Sequence, residues 1–381
     1  MTRVRSVLLD GDPSAPQQAR LGAALAERGI RVVVLGAPLV AAEIRSSFGQ
    51  RCETLARPGR VWGPLASGRL VSAAHRARVD LIHLNYIRPD HEVWLRAGAP
   101  PYVATAWGSD LNAHDFPRTA GYLERVDRVL AGAAAVTADS APMLAEARRR
   151  AGPRLNLPSA QVLWGVDRRH FDRSRHVDAT AALRRDLDIG EGELVLLSAR
   201  QLGANYHVDR IVDAFAASAW PGRGVLVIKL HGRKGEGERR LALEAMARSR
   251  GVADRLRFAP PCAYADLPAV YCLADLAVSA LEADGVPSTF AEMMALGVPQ
   301  LATDLAAYEG VLEGDRGVLV PSGDIEAMAD ELNRLADDAA LRASIAAAGE
   351  EWVATHGDWE RCVDRWVALY NAVLRTESSR R

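Results

Sequence analysis

The sequence predicts an α/β protein built from two tandem doubly wound parallel sheets. Its 381 residues exceed what one typical core organises, so two domains are expected. Short apolar runs bounded by Gly, Pro and polar turns alternate with longer amphipathic stretches, the pattern of β-α-β units. That pattern starts at Val4 and restarts at Leu194, after the charged stretch 173–186. Composition removes other classes. With 47 basic and 48 acidic residues the net charge is −1, so no broad basic field exists for nucleic acid. The hydrophobic content of 49% is globular, and no apolar run is long enough to span a bilayer. The amino terminus enters a strand without the apolar core and cleavage site of a signal peptide, so a cytoplasmic protein is expected. Cys52, Cys262, Cys272 and Cys362 lack metal-ligand spacing and read as reduced, buried thiols.

Taken in order, residues 4–9 form the first strand, 17–27 a helix closed by Arg28-Gly29, and 31–35 the second strand. In the loop between, Asp10 and Asp12 are either acceptor ligands or helix-capping groups, with capping the preferred reading. Residues 65–78 are helical and 81–85 form a buried strand, with His83 read as a structural histidine. Beyond that strand Tyr86, Arg88, Asp90 and His91 make a polar cluster at the carboxyl edge, where such sheets bind ligands. Residues 101–105 are the next strand, followed by Trp107-Gly-Ser-Asp110; 135–140 give a strand and cap, and 141–150 a helix. In the second half, 194–199 is a strand with Arg200 at its end, 207–215 a helix and 225–230 a strand. The loop His231-Gly-Arg-Lys-Gly-Glu236 carries Arg233 and Lys234. A short strand ends at Phe258, and 266–272 and 325–348 are helical, the latter with little interruption. Residues 299–303 are a strand, 352–374 a long amphipathic run, and 376–381 a disordered tail.

One stretch, residues 281–299, carries the chemistry. An apolar strand, 276–280, ends in an acidic turn broken by Gly285 and Pro287, and the helix 290–296 is stopped by Gly297. Ser288 and Thr289 stand where N-cap residues belong, so free amides and the positive end of a helix dipole suit an anion such as phosphate. Asp284 lies in the loop and Glu292 one turn into the helix, so both carboxylates face one crevice.

Two carboxylates flanking seven residues resemble the acidic motif of the retaining glycosyltransferases of family 4, which have the GT-B fold. The resemblance covers the whole chain. It implies that Asp284, in place of the commoner glutamate, faces the donor sugar and that Glu292 holds the nucleotide ribose. Trp107-Gly-Ser-Asp110 resembles the family's His-Gly-x-Asp turn, with tryptophan in the histidine place; Trp107 is either a stacking surface for a sugar or packed under its loop. Val162-Leu-Trp-Gly-Val-Asp-Arg-Arg-His-Phe171 resembles the segment that ends the N-terminal domain. Arg200 matches an arginine on the donor diphosphate, while Asn205 occupies the place of a lysine five residues later. Lys234 and Arg233 are the candidates for that missing charge. The loop 259–264 receives the base by resemblance, with Tyr264 as a stacking partner, and Gly317-Val-Leu-Val320 with Asp324 resembles a terminal hairpin and capped helix.

The implied domains are 1–172 for the acceptor, 187–350 for the nucleotide sugar, and 351–381 as a helix crossing back to the first domain. Chemistry in such a fold occurs in the interdomain cleft. Arg200, Lys234, Arg233 and the Gly285, Ser288 and Thr289 turn would stabilise the leaving diphosphate without a metal or further cofactor. Asp284, Trp107 and Asp110 would serve the transferred sugar, and Asp12, Tyr86 and His91 a hydroxyl acceptor. A soluble small acceptor, or an envelope glycan precursor, fits better than a lipid, since no basic amphipathic helix is present. Two other readings stay open: a GT-B nucleotide-sugar epimerase, and a non-catalytic subunit that keeps the fold.

Overall fold

A computed structural model describes residues 3–12, 16–36, 52–56, 64–111, 121–153 and 157–380. The chain divides into two compact units, Met1–Trp164 with Glu360–Arg381, and Gly165–Trp359.

In the first unit the strands are β1 (Ser6–Asp10), β2 (Arg31–Gly36), β3 (Cys52–Ala56), β4 (Leu81–Asn85), β5 (Tyr102–Ala106), β6 (Ala135–Ala138) and β7 (Ser159–Gln161). They pair in parallel in the order β3-β2-β1-β4-β5-β6-β7. Residues of β1, β4, β5 and β6 are buried throughout, which is why these strands read as unbroken apolar runs rather than alternating ones. Helices α1 (Pro16–Glu27), α2 (Pro64–Arg76), α3 (Tyr122–Gly132) and α4 (Ala141–Arg150) connect them. Ser140 caps α4 by accepting the Met143 amide, as its position implied.

The second unit holds β8 (Leu194–Ser198), β9 (Gly224–Lys229), β10 (Leu256–Ala259), β11 (Leu276–Ser279), β12 (Gln300–Thr303) and β13 (Val318–Val320). Their order is β10-β9-β8-β11-β12-β13, again all parallel. The helices are α5 (Val177–Asp186), α6 (Val208–Ala217), α7 (Glu236–Ser249), α8 (Leu267–Tyr271), α9 (Ser288–Ala295), α10 (Ile325–Asp337) and α11 (Ala339–Trp352). Both units are Rossmann-like. In each, the strand order reverses between two central strands, β1 and β4 or β8 and β11, and ligands of such sheets bind beyond the carboxyl ends there.

Several expectations need correcting. The helix predicted over 325–348 is two helices, because Asp338 stops one and caps the next by accepting the Leu341 amide. The run 352–374 is broken by a π-turn at Val353–Gly357 before α12 (Trp359–Arg380) begins. The tail expected to be disordered continues that helix as far as Arg380, and Arg381 lies outside the described residues. The segment ending at Val320 is no hairpin; β13 runs parallel to β12, although Asp324 does cap α10 through the Ala327 amide. Strands β3 and β7 escaped the sequence reading, both being short and polar.

Helix α12 is built into the first unit by specific groups. Arg28 closes α1 and pairs with Glu360 at 2.7 Å and Asp364 at 2.9 Å. The Val4 amide donates to Asn371 Oδ1, and the Tyr370 hydroxyl meets His83 Nδ1 at 2.7 Å, with Thr105 Oγ1 at 2.6 Å from the other ring nitrogen. His83 is fully buried and uncharged: burial pushes its pKa down to about 3. It is the structural histidine that the sequence suggested.

Candidate functional site

In the second unit the chain bends at Glu282 and Ala283 just beyond β11, and the two carboxylates of this segment take different partners. Glu282 turns to Arg210 at 2.6 Å, with His207 at 3.5 Å. Asp284 turns the other way and meets Arg200, just beyond β8, at 2.6 Å. Both partners are largely buried, at 13% and 17% side-chain exposure. Asp284 also accepts from the Tyr308 hydroxyl at 3.2 Å and from the Gly285 amide at 3.0 Å. Burial raises the Asp284 pKa, against the lowering pull of Arg200 and these hydrogen bonds. The guanidinium is held further by Thr289 Oγ1 at 3.4 Å and lies 5.3 Å from the Tyr206 ring centre. A cation, a carboxylate and a helix start are thus assembled at the switch point of the second sheet.

The helix start differs in detail from expectation. Pro287, not Ser288 or Thr289, is the N-cap of α9, and no side chain caps it. A proline cap leaves the chain extended, so Ser288 and Thr289 become the first two helical residues. Their amides lack intrahelical acceptors, so the anion-binding property survives on backbone groups, with the Thr289 hydroxyl turned to Arg200. Glu292 also departs from expectation. It is 4% exposed rather than open to a crevice, with the Tyr271 hydroxyl at 3.5 Å from Oε2. Tyr271 is itself fully enclosed, and burial, followed by Glu292, raises its pKa.

Around this centre Tyr264 is 39% exposed, tilted against His170 at 5.1 Å between ring centres and edge-on to Phe171 at 5.8 Å. Arg233 and Lys234 stand exposed in the turn before α7. The Glu236 carboxylate organises that turn by accepting the His231 and Gly232 amides. Lys229, with Lys234 one of the two lysines of the sequence, is 4% exposed at the end of β9, and burial lowers its pKa. Asn205 sits in the single 3-10 turn Ala204–Tyr206 that follows Arg200.

The first unit has its own polar cluster at the carboxyl ends of β1, β4 and β5. Asp10 is no helix cap: it ends β1, is fully buried, and takes Trp94 Nε1 at 2.8 Å and Arg88 at 3.3 Å. His91, 0% exposed, faces inward, with Nε2 3.5 Å from Asp10 and Nδ1 accepting the Arg88 amide. The turn Pro89–Leu95 folds it under the edge instead of toward solvent. Asp110, also 0% exposed, accepts the amides of Ile87, Trp107 and Gly108 and so fixes the Trp107 turn. Trp107 donates through Nε1 to Asn85 and lies edge-on to Trp164 and Tyr86, at 5.0 and 6.3 Å. Tyr86 holds a left-handed backbone (φ 67°), a conformation costly for an aromatic residue, and its hydroxyl meets Ser109. Asp12 is exposed beyond the cluster. Tyr308 and Trp94 were missed because nothing in their local sequence signals partners as far along the chain as Asp284 and Asp10, and Tyr206 because only the turn after Arg200 brings its ring under the guanidinium.

Family models match both units: "Glycosyltransferase Family 4" over residues 18–157 and "Glycosyl transferases group 1" over residues 180–352. The D-inositol 3-phosphate glycosyltransferase of Salinispora arenicola is 30% identical over 347 residues, covering 83% of this chain and 74% of that protein. The enzyme of the same name from Salinispora tropica is 29% identical over 350 residues, covering 85% and 70%. Among solved structures, Anabaena Alr3699/HepE in complex with UDP superposes with a TM-score of 0.79 at 20% identity, over 99% of this chain and 100% of that one. Sucrose-phosphate synthase from Thermosynechococcus elongatus gives 0.79 at 21% identity, over 98% and 100%. At such identities these likenesses speak to the fold.

Proposed function

The chain belongs to the GT-B glycosyltransferases of family 4, and on that premise we propose that it moves a sugar from a nucleoside diphosphate sugar to the hydroxyl of a small polyol, with retention and without a metal. The observation that carries this reading is the largely buried Arg200–Asp284 pair beside the open amides of α9. A leaving diphosphate gains negative charge as its bond to the sugar breaks. Arg200 and the Ser288 and Thr289 amides are fixed donors at such a place, in surroundings where each is worth more than in water. Arg233 and Lys234 add the charge that Asn205 lacks. Glu292 is assigned to the ribose hydroxyls by the family resemblance and not by its enclosed position beside Tyr271, and Tyr264 borders the base. Asp284 orients the sugar and balances positive charge at the transferred carbon.

On the retaining course, the bond from the anomeric carbon to phosphate breaks and the bond to the acceptor oxygen forms on the same face. The departing phosphate oxygen takes the acceptor's proton, so no protein nucleophile is required. In the first unit Trp107 offers a ring to a sugar, Asp110 holds its turn, and Tyr86, Asp12 and the His91-supported cluster receive the acceptor. The Salinispora relatives carry inositol 3-phosphate in their names, which makes a phosphorylated cyclitol the acceptor class to try first. Cytoplasmic placement belongs to the same reading; among the described residues no helix is long and apolar enough to cross a membrane.

The test is incubation with a panel of α-linked UDP- and GDP-sugars and inositol 3-phosphate, following nucleotide release and the product's anomeric configuration by NMR. An α-linked product supports the reading. A β-linked product removes retention, and free epimerised sugar without acceptor replaces transfer by epimerisation.

A further inference from the structure

Resting on the reading of Arg200 as the diphosphate-binding cation, we propose that Gln300 is a positioning residue for it, acting through one water molecule enclosed between β8, β11, β12 and α9. Gln300 is a polar residue in an interior strand, 1% exposed, flanked by β11 and β13. Its Nε2 donates to the Phe290 carbonyl, in the first turn of α9, at 2.8 Å. Its Oε1 is buried and meets no partner in the protein. Arg200 Nε shares that condition beside it, while Ser279 Oγ stands against the Tyr308 hydroxyl.

All three residues line the same cavity of about 10 Å³. That is close to the smallest space a water occupies, and a buried water needs two to four polar partners. The hydrogen-bond inventory closes around one. An arginine Nε–H only donates, an amide oxygen only accepts, and a hydroxyl does either. A water accepting from Arg200 Nε and donating to Gln300 Oε1 and Ser279 Oγ satisfies the two unpaired groups that line the cavity, each of which is costly to leave so.

The consequence lies in what fixes the guanidinium plane. Nη2 is on Asp284 and Nη1 on Thr289, so both terminal nitrogens are the groups a diphosphate would compete for. The Nε link does not face that competition and holds the plane while the terminal nitrogens change partners. Because Gln300 also grips the Phe290 carbonyl, one side chain registers both the cation and the helix whose amides complete the anion site.

The experiment measures donor kinetics in the full chain for Gln300→Leu, Ser279→Ala, Arg200→Ala and the Gln300→Leu/Arg200→Ala double variant, with melting temperatures to confirm folding. Gln300→Leu should lower kcat roughly tenfold while donor KM moves less than about twofold, since the geometry of leaving-group stabilisation is lost, not the bulk of binding. Ser279→Ala should lose less, and Gln300→Glu, which keeps an accepting oxygen, should recover part of the rate. In the Arg200→Ala background Gln300→Leu should cost clearly less than in the wild type, since only its hold on the Phe290 carbonyl is left to lose. A crystal structure should show one ordered water within hydrogen-bond distance of all three atoms. Multiplicative losses in the double variant, an unchanged kcat in Gln300→Leu, or an empty cavity in good density would overturn the proposal. Full activity in Arg200→Ala would instead sink the donor-site reading, and the density would still decide the water.

Discussion

Mild acid should loosen the first unit at a single side chain. His83 is fully buried, its ring held by Tyr370 and Thr105 and packed near Trp366, with burial the only cause of its depressed pKa. Above pH 6.5 neither the folded nor the unfolded chain protonates it, and stability is flat in this group. Below 6.5 the unfolded chain takes a proton that the folded chain refuses until about pH 3, so stability falls as pH falls. The full difference, from 6.5 to about 3, corresponds to roughly 5 kcal/mol at about 1.4 kcal/mol per unit. Between pH 7 and pH 5 the share due to this histidine is about 2 kcal/mol. Native-state hydrogen exchange at β4 and α12 reports opening of the first unit alone. His83→Leu should be less stable at neutral pH, because the Tyr370 hydroxyl loses its partner, yet its opening free energy should fall about 2 kcal/mol less on acidification than the wild type's. Parallel pH dependences in the two proteins would refute the reasoning.

Glu292→Gln should weaken binding of nucleoside diphosphate by about 1.5–3 kcal/mol in calorimetry, the scale of a charged hydrogen bond, and unchanged affinity in a folded variant removes Glu292 from the site. Arg200→Ala should lower kcat as well as donor binding, and should also cost about 1–3 kcal/mol of stability by leaving Asp284 without its cation; chemical denaturation should then show part of that cost relieved in the Arg200→Ala/Asp284→Asn double variant. Lys234→Ala should reduce affinity for UDP but not for uridine, and Asn205→Lys should raise affinity for UDP alone; equal effects on nucleotide and nucleoside would take that loop off the phosphates.

The sequence by itself determined the architecture and marked the candidate place for the chemistry. Apolar runs that stay unbroken mark strands covered on both faces, and the restart at Leu194 marks a second sheet, because each follows from local periodicity. The spacing of Asp284 and Glu292 marked the β11–α9 turn in the same way. Only the tertiary structure decided partners and burial. Asp10 looked like a cap but is held inside by Trp94 and Arg88, residues some eighty positions away. Ser288 and Thr289 looked like caps, but the extended proline before them took that role. Glu292 looked open and is enclosed against Tyr271. Gln300 read only as part of a strand, yet its two amide atoms face Phe290 and the cavity beside Arg200. Periodicity is written within a few residues, whereas a side chain's partner depends on which strands the sheet brings together, and that order is set by packing across the whole unit.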